Sequence, residues 1–206
     1  MIEDLSFESG HPIWNERYSD FLSSFSQIKL AILVLGPGQG SQGEQKRKEI
    51  KNHLGLVNKN YDVAFSEELE EKIKVSQHDH MANIALHISQ ADIIFALLVD
   101  DLRVSGALTE LNKFDDFLKF REKTFLILPK RRKQIGRNDP IPLIWQTVDK
   151  FPKDHKFPYT PGEFKTCESI RNFVADIANR ATKKMGYERF LRESGVNLPI
   201  RLNDVA

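Results

Sequence analysis

Three runs of almost unbroken apolar residues constrain this chain more than any other feature: KLAILVL from Lys29 to Leu35, ADIIFALLV from Ala91 to Val99, and TFLIL from Thr124 to Leu128. A strand with one wet face alternates apolar and polar residues. A strand that is apolar throughout is covered on both faces, as in a parallel sheet whose crossovers are helices. The intervening segments carry a helical period. Ile50, Leu54 and Val57 fall on one stripe of 44–57, with charges on the other side. Met81, Ile84, Ala85 and Ile88 do the same in 76–90, with Ser76 as N-cap, and Ala107, Leu111, Phe114 and Leu118 in 105–120. A short strand at Tyr61–Phe65 and a weaker one around Gln146–Phe151 bring the strands to five. The acidic stretch Ser66–Glu71 reads as a loop, as do 130–142 and 152–162. Ile170, Phe173, Val174, Ile177, Ala178 and Ala181 mark a last amphipathic helix that should pack on the sheet.

Right-handed crossovers then put helices on both faces. The expectation is a single α/β domain, Rossmann-like or flavodoxin-like, with a five-stranded parallel sheet in the order 2-1-3-4-5. It spans 29–184, after a helical extension over 1–28 that carries Trp14, Tyr18, Phe21, Leu22 and Phe25, and before a tail over 185–206. A chain of 206 residues suits one sizeable core. Thirty basic against 29 acidic residues give a net charge of +1, which removes the electrostatic reason to expect bulk binding to nucleic acid or a membrane surface. The longest apolar run is far too short to span a bilayer, for which about 20 residues are needed. The acidic start, Met1–Asp4, is followed by no apolar stretch of a secretory signal, and the lone Cys167 has no partner for an internal disulfide. The expected location is the cytoplasm.

In sheets of this order ligands bind beyond the carboxyl ends of the strands, near the switch in strand order. Here that means the loops after the first and third strands. The first is Gly36-Pro37-Gly38-Gln39-Gly40-Ser41-Gln42-Gly43, in which Gly38, Gly40 and Gly43 spell GxGxxG between a strand and a helix. Glycines let backbone N–H groups approach a phosphate at a helix N-terminus, where the peptide dipoles favour an anion. The motif starts late after its strand, and Glu67 and Glu68, the acidic candidates for a ribose, lie farther along than the usual spacing of about 20 residues. A loop that touches a nucleotide or ribose is favoured over a dehydrogenase-type site, with Gly36, Gly38, Gly40 and Ser41 as binding residues. Gly43 is followed by Glu44-Gln45 and not by Lys-Ser/Thr, so this is no phosphate loop of the kinase type.

The second loop follows ADIIFALLVDDLRVSGALTEL, with Asp92 at the start of a strand, Asp100 and Asp101 at its end, and Glu110 in the opening turns of the next helix. Here the sequence resembles the nucleoside 2-deoxyribosyltransferase family, in which an Ala-Asp, an apolar strand, Asp-Ser-Gly-Thr and, two residues on, a nucleophilic glutamate occur in that order. Ala91-Asp92, Ser105, Gly106 and Glu110 match; Val104 stands in place of the motif's Asp and Ala107 in place of its Thr. The region is also similar to a TIR domain, whose third helix opens with a Ser and a Glu-Leu pair and whose glutamate serves cleavage of the nicotinamide N-glycosidic bond. Together the resemblances cover about Lys29 to Leu128. They imply an N-glycosidase or transferase acting on a nucleotide, nucleoside or NAD, with Glu110 central, Asp100 and Asp101 as further acids, and Asp92, Ser105 and Gly106 in the binding site. No cofactor beyond the nucleotide or NAD substrate is implied. A bacterial defence setting is implied as well. The alternative is a binding module that recognises a nucleotide-derived signal without turning it over and acts with a protein partner.

The chemistry explains the carboxylate. Breaking an N-glycosidic bond builds positive charge on the anomeric carbon and ring oxygen, which a fixed carboxylate stabilises or attacks. The polar groups available to assist the leaving base are Asp100, Asp101 and the His78-Asp79-His80 cluster. A metal site on His78, His80 and His87 is not expected, because residues two apart on a helix do not share a face and no cysteine joins them. These histidines should border the third-strand loop or face solvent. Cys167, on a helix with a core stripe, reads as a small packed side chain. The basic run Lys130–Arg137, the one concentrated basic patch, reads as a solvated loop, with contact to phosphates or to a nucleic-acid partner as the alternative, and nucleic acid is expected nowhere else. A homo-oligomer or larger protein complex stays open.

Overall fold

The computed structural model describes residues 25–38, 41–70, 80–99, 120–130, 143–160 and 168–195, with the single positions 16, 19, 20, 23, 111, 112, 114, 162, 164 and 202. The chain divides into two compact units, Leu30–Ala178 and a second one made of Met1–Lys29 with Asn179–Ala206.

In the larger unit β1 (Leu30–Leu35) leads to α1 (Gln42–Val57), β2 (Tyr61–Ala64), α2 (Ser66–Glu70), α3 (His80–Gln90) and β3 (Ile93–Leu97). Then come α4 (Phe120–Lys123), β4 (Thr124–Pro129), α5 (Leu143–Asp149), a 3-10 turn at Lys153–His155, β5 (Lys156–Tyr159) and the start of α6 (Glu168–Glu193). Every strand pair is parallel and the order is β2-β1-β3-β4-β5, as the apolar runs predict. Period-two side chains divide the strands between two covered faces. Leu33, Leu35, Ile94, Ala96, Leu126 and Leu128 pack with Ile84 and Ile88 of α3, with Phe114, and with Trp145 and Val148 of α5. On the opposite face Phe125 meets Phe173 of α6, their ring centroids 6.4 Å apart, and Leu97 lies under the Arg47 stem of α1. The unit is therefore an α/β domain with helices on both faces.

Three sequence expectations need correction. The stretch 146–151 is not a strand: α5 covers most of it, because Trp145 and Val148 share a helical face that enters the core. The fifth strand lies instead inside the expected Pro-rich loop, at Lys156–Tyr159, where Pro158 is tolerated because β5 is an edge strand. Ser66–Glu70 is a short helix and not a loop, its acidic residues drawn to the cations of α1.

The amino edge of the sheet is closed by side chains that bond to backbone. The Asp92 carboxylate accepts the Ala31 N–H at 2.8 Å while the Asp92 N–H donates to the Ala31 carbonyl at 2.8 Å, which locks the start of β3 to β1. Lys123 donates to the carbonyls of Ile88 at 2.6 Å and Ala91 at 2.7 Å, at the C-terminal end of α3, where the helix dipole favours a cation. Burial lowers the Lys123 pKa, against the opposing pull of Asp92. His155 Nδ1 lies 3.1 and 3.0 Å from the carbonyls of Arg121 and Thr124, and its ring stacks on Phe125 at 4.3 Å.

In the smaller unit, helical backbone is present at 16, 19, 20, 23, 25 and 26, and α6 continues as far as Glu193, through the first part of the segment read as a tail. Gly186 lies against the ring of Phe25, where an added Cβ would stand 2.4 Å from a ring carbon, and Phe25 meets Tyr187 edge-on at 5.4 Å.

Candidate functional site

The switch in strand order falls between β1 and β3, so the position at which sheets of this order take ligands is where β1 ends at Leu35 and β3 ends at Leu97. Gly36 and Gly38 lie in the loop that leaves β1, and Ser41 is the N-cap of α1. The Ser41 hydroxyl accepts the Glu44 N–H at 3.1 Å and donates to the Gly38 carbonyl at 2.9 Å. One hydroxyl thus fixes both the helix start and the loop before it.

The glycines of this loop have different duties. A Cβ at Gly43 would meet the Pro37 ring at 2.6–2.9 Å, so the last glycine of the motif is required by packing. A Cβ at Gly36 would stand 2.9 Å from Cδ of Arg47 and 3.2 Å from Cβ of Leu97, so this glycine makes room for an arginine stem. Among the described residues nothing lies within 4 Å of a Cβ at Gly38. None of them gives the fold a packing need for glycine at that position. Gly40 lies outside the described residues.

The charges of α1 depart from the sequence reading. The sequence reading sets the charges of this helix opposite the apolar stripe, but Lys46 and Arg47, four and three residues before Ile50 and so on its side, are 3% and 2% exposed. The Arg47 stem lies on Gly36, and its guanidinium stacks over Phe65 at 4.7 Å and pairs with both oxygens of Glu67, at 2.7 and 3.2 Å. This two-pronged pairing suits the planar fork of arginine. Arg47 Nε is buried and, among the described residues, has no hydrogen-bond partner. Burial pushes the Glu67 carboxyl up, but the hydrogen bonds and positive charge of Arg47, with help from Ser66, outweigh it and hold the group below its ordinary value. Lys51 pairs with Glu68 at 2.6 Å, also over the Phe65 ring, and Glu68 accepts the Phe65 N–H at 2.9 Å. Glu67 and Glu68, the acidic candidates for a ribose that lie farther along than the usual spacing, are therefore engaged with α1. Local sequence carries no signal for this role of Arg47, whose partners Phe65 and Glu67 lie 18 and 20 residues on.

Farther along the same edge the Tyr159 hydroxyl donates to the Leu98 carbonyl at 2.8 Å and so ties β5 to the end of β3. Lys130 is exposed just after β4, its N–H bonded to the Tyr159 carbonyl at 2.7 Å. Asp92 is not at this edge. It sits at the amino end of β3 and holds β1, a structural tie and not a residue of the carboxyl edge. Asp100, Asp101, Ser105, Gly106 and Glu110 lie outside the described residues, as do 131–137, His78 and Cys167. His87 is neither at the third-strand loop nor in solvent: it is buried on α3. Among the described residues no group of three His, Cys, Asp or Glu is placed to hold a metal ion. Among them too, no helix is long and apolar enough to cross a membrane.

Sheet order, parallel pairing and a glycine loop at the switch point define an α/β protein of Rossmann-like, flavodoxin-like fold. No family model matches the chain, and no curated protein matches it. It is similar to a conserved protein from Enterococcus faecalis V583, known from its crystal structure, over 71% of this chain and 98% of that one, at 16% identity and a TM-score of 0.40.

Proposed function

We propose that the carboxyl edge binds a nucleotide-type molecule, a nucleotide, nucleoside or NAD, and that Glu110 supports cleavage or transfer at its N-glycosidic bond. The observation that carries the reading is Gly38. It is a glycine without a packing duty among the described residues, at the strand-order switch and beside the capped start of α1, where ligands of such sheets bind. The choice of reaction rests on the resemblance of Ala91-Asp92, Ser105, Gly106 and Glu110 to the deoxyribosyltransferase pattern.

In the proposed reaction the bond between the anomeric carbon and the base nitrogen breaks and its electron pair leaves with the base, which takes up a proton. The Glu110 carboxylate faces the developing positive charge or bonds to the anomeric carbon, and water or a second base completes the exchange. Asp100 and Asp101 are the acids available to supply the proton. Lys130 follows β4 on the same edge, and it and the basic residues next in sequence suit a phosphate.

The test is incubation of wild type and Glu110→Gln with NAD, ATP and a mixture of deoxynucleosides, with free bases read by chromatography. Base release by wild type and its loss in Glu110→Gln supports the reading and names the substrate class. Equal release by both proteins removes Glu110 from the chemistry. Val104 in place of the motif's Asp favours a second reading, a module that binds the nucleotide and passes its state to a protein partner. Ligand-induced stabilisation with no base release would select it.

A further inference from the structure

The sheet face beneath α3 is unevenly filled. Toward β3 and β4 it carries Leu33, Ile94 and Leu126, but toward β2 it carries Ala31, Asp62 and Ala64. These short side chains leave a cavity of about 320 Å³, walled by Ala31, Leu33, Ala64, Leu69, Leu86 and Ala91, with Asp62 and Gln90 as its polar lining besides one histidine. That histidine is His87, 3% exposed, and among the described residues neither its Nδ1 nor its Nε2 has a hydrogen-bond partner. Buried imidazoles ordinarily bond to a carbonyl or carboxylate, as His155 does. His87 keeps one donor and one acceptor free in a neutral ring.

We propose that this cavity is a binding site for a small uncharged hydroxyaromatic molecule whose ring fills the apolar space and whose hydroxyl bonds to His87. Size supports it, since an apolar cavity of about 150 Å³ already takes benzene, and the space here suits a two-ring body. Chemistry supports it too. A hydroxyl both donates and accepts, which matches either nitrogen of a neutral imidazole. Asp62, exposed at the rim, repels an anion such as an aromatic carboxylate. The cavity lies along the first half of β1 and under the C-terminal half of α3, apart from the loop that follows Gly36, so its fate is independent of the glycosidase reading.

The experiment uses the full chain with 2-naphthol, naphthalene and 2-naphthoate as probes. Isotope-labelled wild type is titrated by NMR, and contacts are read between probe protons and the methyls of Leu33, Leu69 and Leu86. Saturable one-to-one binding of 2-naphthol with contacts to those methyls is expected, with 2-naphthoate the weakest of the three. His87→Phe should weaken 2-naphthol about threefold to tenfold, as for one lost hydrogen bond, and leave naphthalene unchanged. Ala64→Leu should abolish binding of both. Absence of saturable binding to wild type overturns the proposal, and so do contacts confined to other methyls or equal loss of 2-naphthol and naphthalene in His87→Phe. The wild-type contacts decide the matter even if a variant fails to fold.

Discussion

The two edges of the sheet differ in how fully their groups are committed to closing the fold. At the amino edge Asp92, Lys123 and His155 each bond to backbone groups of neighbouring elements, so their polar capacity goes into closing the fold. At the carboxyl edge Ser41 and Tyr159 likewise bond to backbone, but among the described residues nothing packs where a Gly38 side chain would stand, and Arg47 Nε is buried without a partner although the rest of its guanidinium is paired. The same strand ends differ because helices start at one edge and end at the other. Helix starts leave N–H groups and favour anions; helix ends leave carbonyls and favour cations such as Lys123. Substitutions at the amino edge should therefore change stability, and those at the carboxyl edge ligand binding and turnover.

The largest expected effect is at the carboxyl edge. Under the proposed reaction, Glu110→Gln should lower base release by about 100-fold or more, since the carboxylate that would face the reacting carbon loses its charge. Its melting temperature should stay near that of wild type. A fall in melting temperature equal to that of a core variant would break the comparison, because the glutamate would then serve the fold.

Next in size are paired substitutions within one loop. Gly43→Ala forces a Cβ into the Pro37 ring and should cost about 1–3 kcal/mol in chemical denaturation. Gly38→Ala meets nothing among the described residues and should stay within about 0.5 kcal/mol of wild type. Yet Gly38→Ala should weaken the nucleotide identified by base release or thermal shift, because the added methyl occupies the path of approach. Unchanged affinity would remove Gly38 from the binding site. At the amino edge His155→Leu leaves the two carbonyls that faced Nδ1 without that donor and should cost about 1–3 kcal/mol. Ligand affinity should not follow.

The fold was legible wherever burial on both faces wrote itself into the sequence. β1, β3 and β4 are central and apolar throughout, and their order follows from the crossovers. β5 was not legible: as an edge strand it needs neither an apolar run nor a complete set of N–H donors, so Lys156 and Pro158 disguise it. The stretch around Trp145 misleads in the other direction, because seven helical residues with apolar positions three apart look much like a strand. For the site, Ser41 and the glycine loop are visible as local chemistry. Arg47 is not, since its burial depends on Phe65 and Glu67, which reach it only through the parallel pairing of β1 and β2. Asp92 shows the converse: a motif position marks it, but its two bonds to Ala31 account for it without a ligand.

The smallest predicted effect tests whether the Arg47–Glu67 pair belongs with the closed edge or the open one. The folded Glu67 carboxyl titrates below its ordinary value of 4.5, so between the two values the unfolded chain binds more protons than the folded one. Its contribution is complete above that ordinary value and is lost as the pH falls through the lower folded one. Glu67→Gln should therefore be less stable than wild type near neutrality, by a modest margin because half of the Glu67 side chain is exposed. The two proteins should converge in melting temperature as the pH is lowered from about 6 to about 3. A gap that persists at low pH would mean that the carboxylate charge is not what Glu67 contributes. If instead the gap at neutrality closes when the nucleotide is added, the ligand has replaced the carboxylate as the partner of Arg47, and the pair belongs to the open edge.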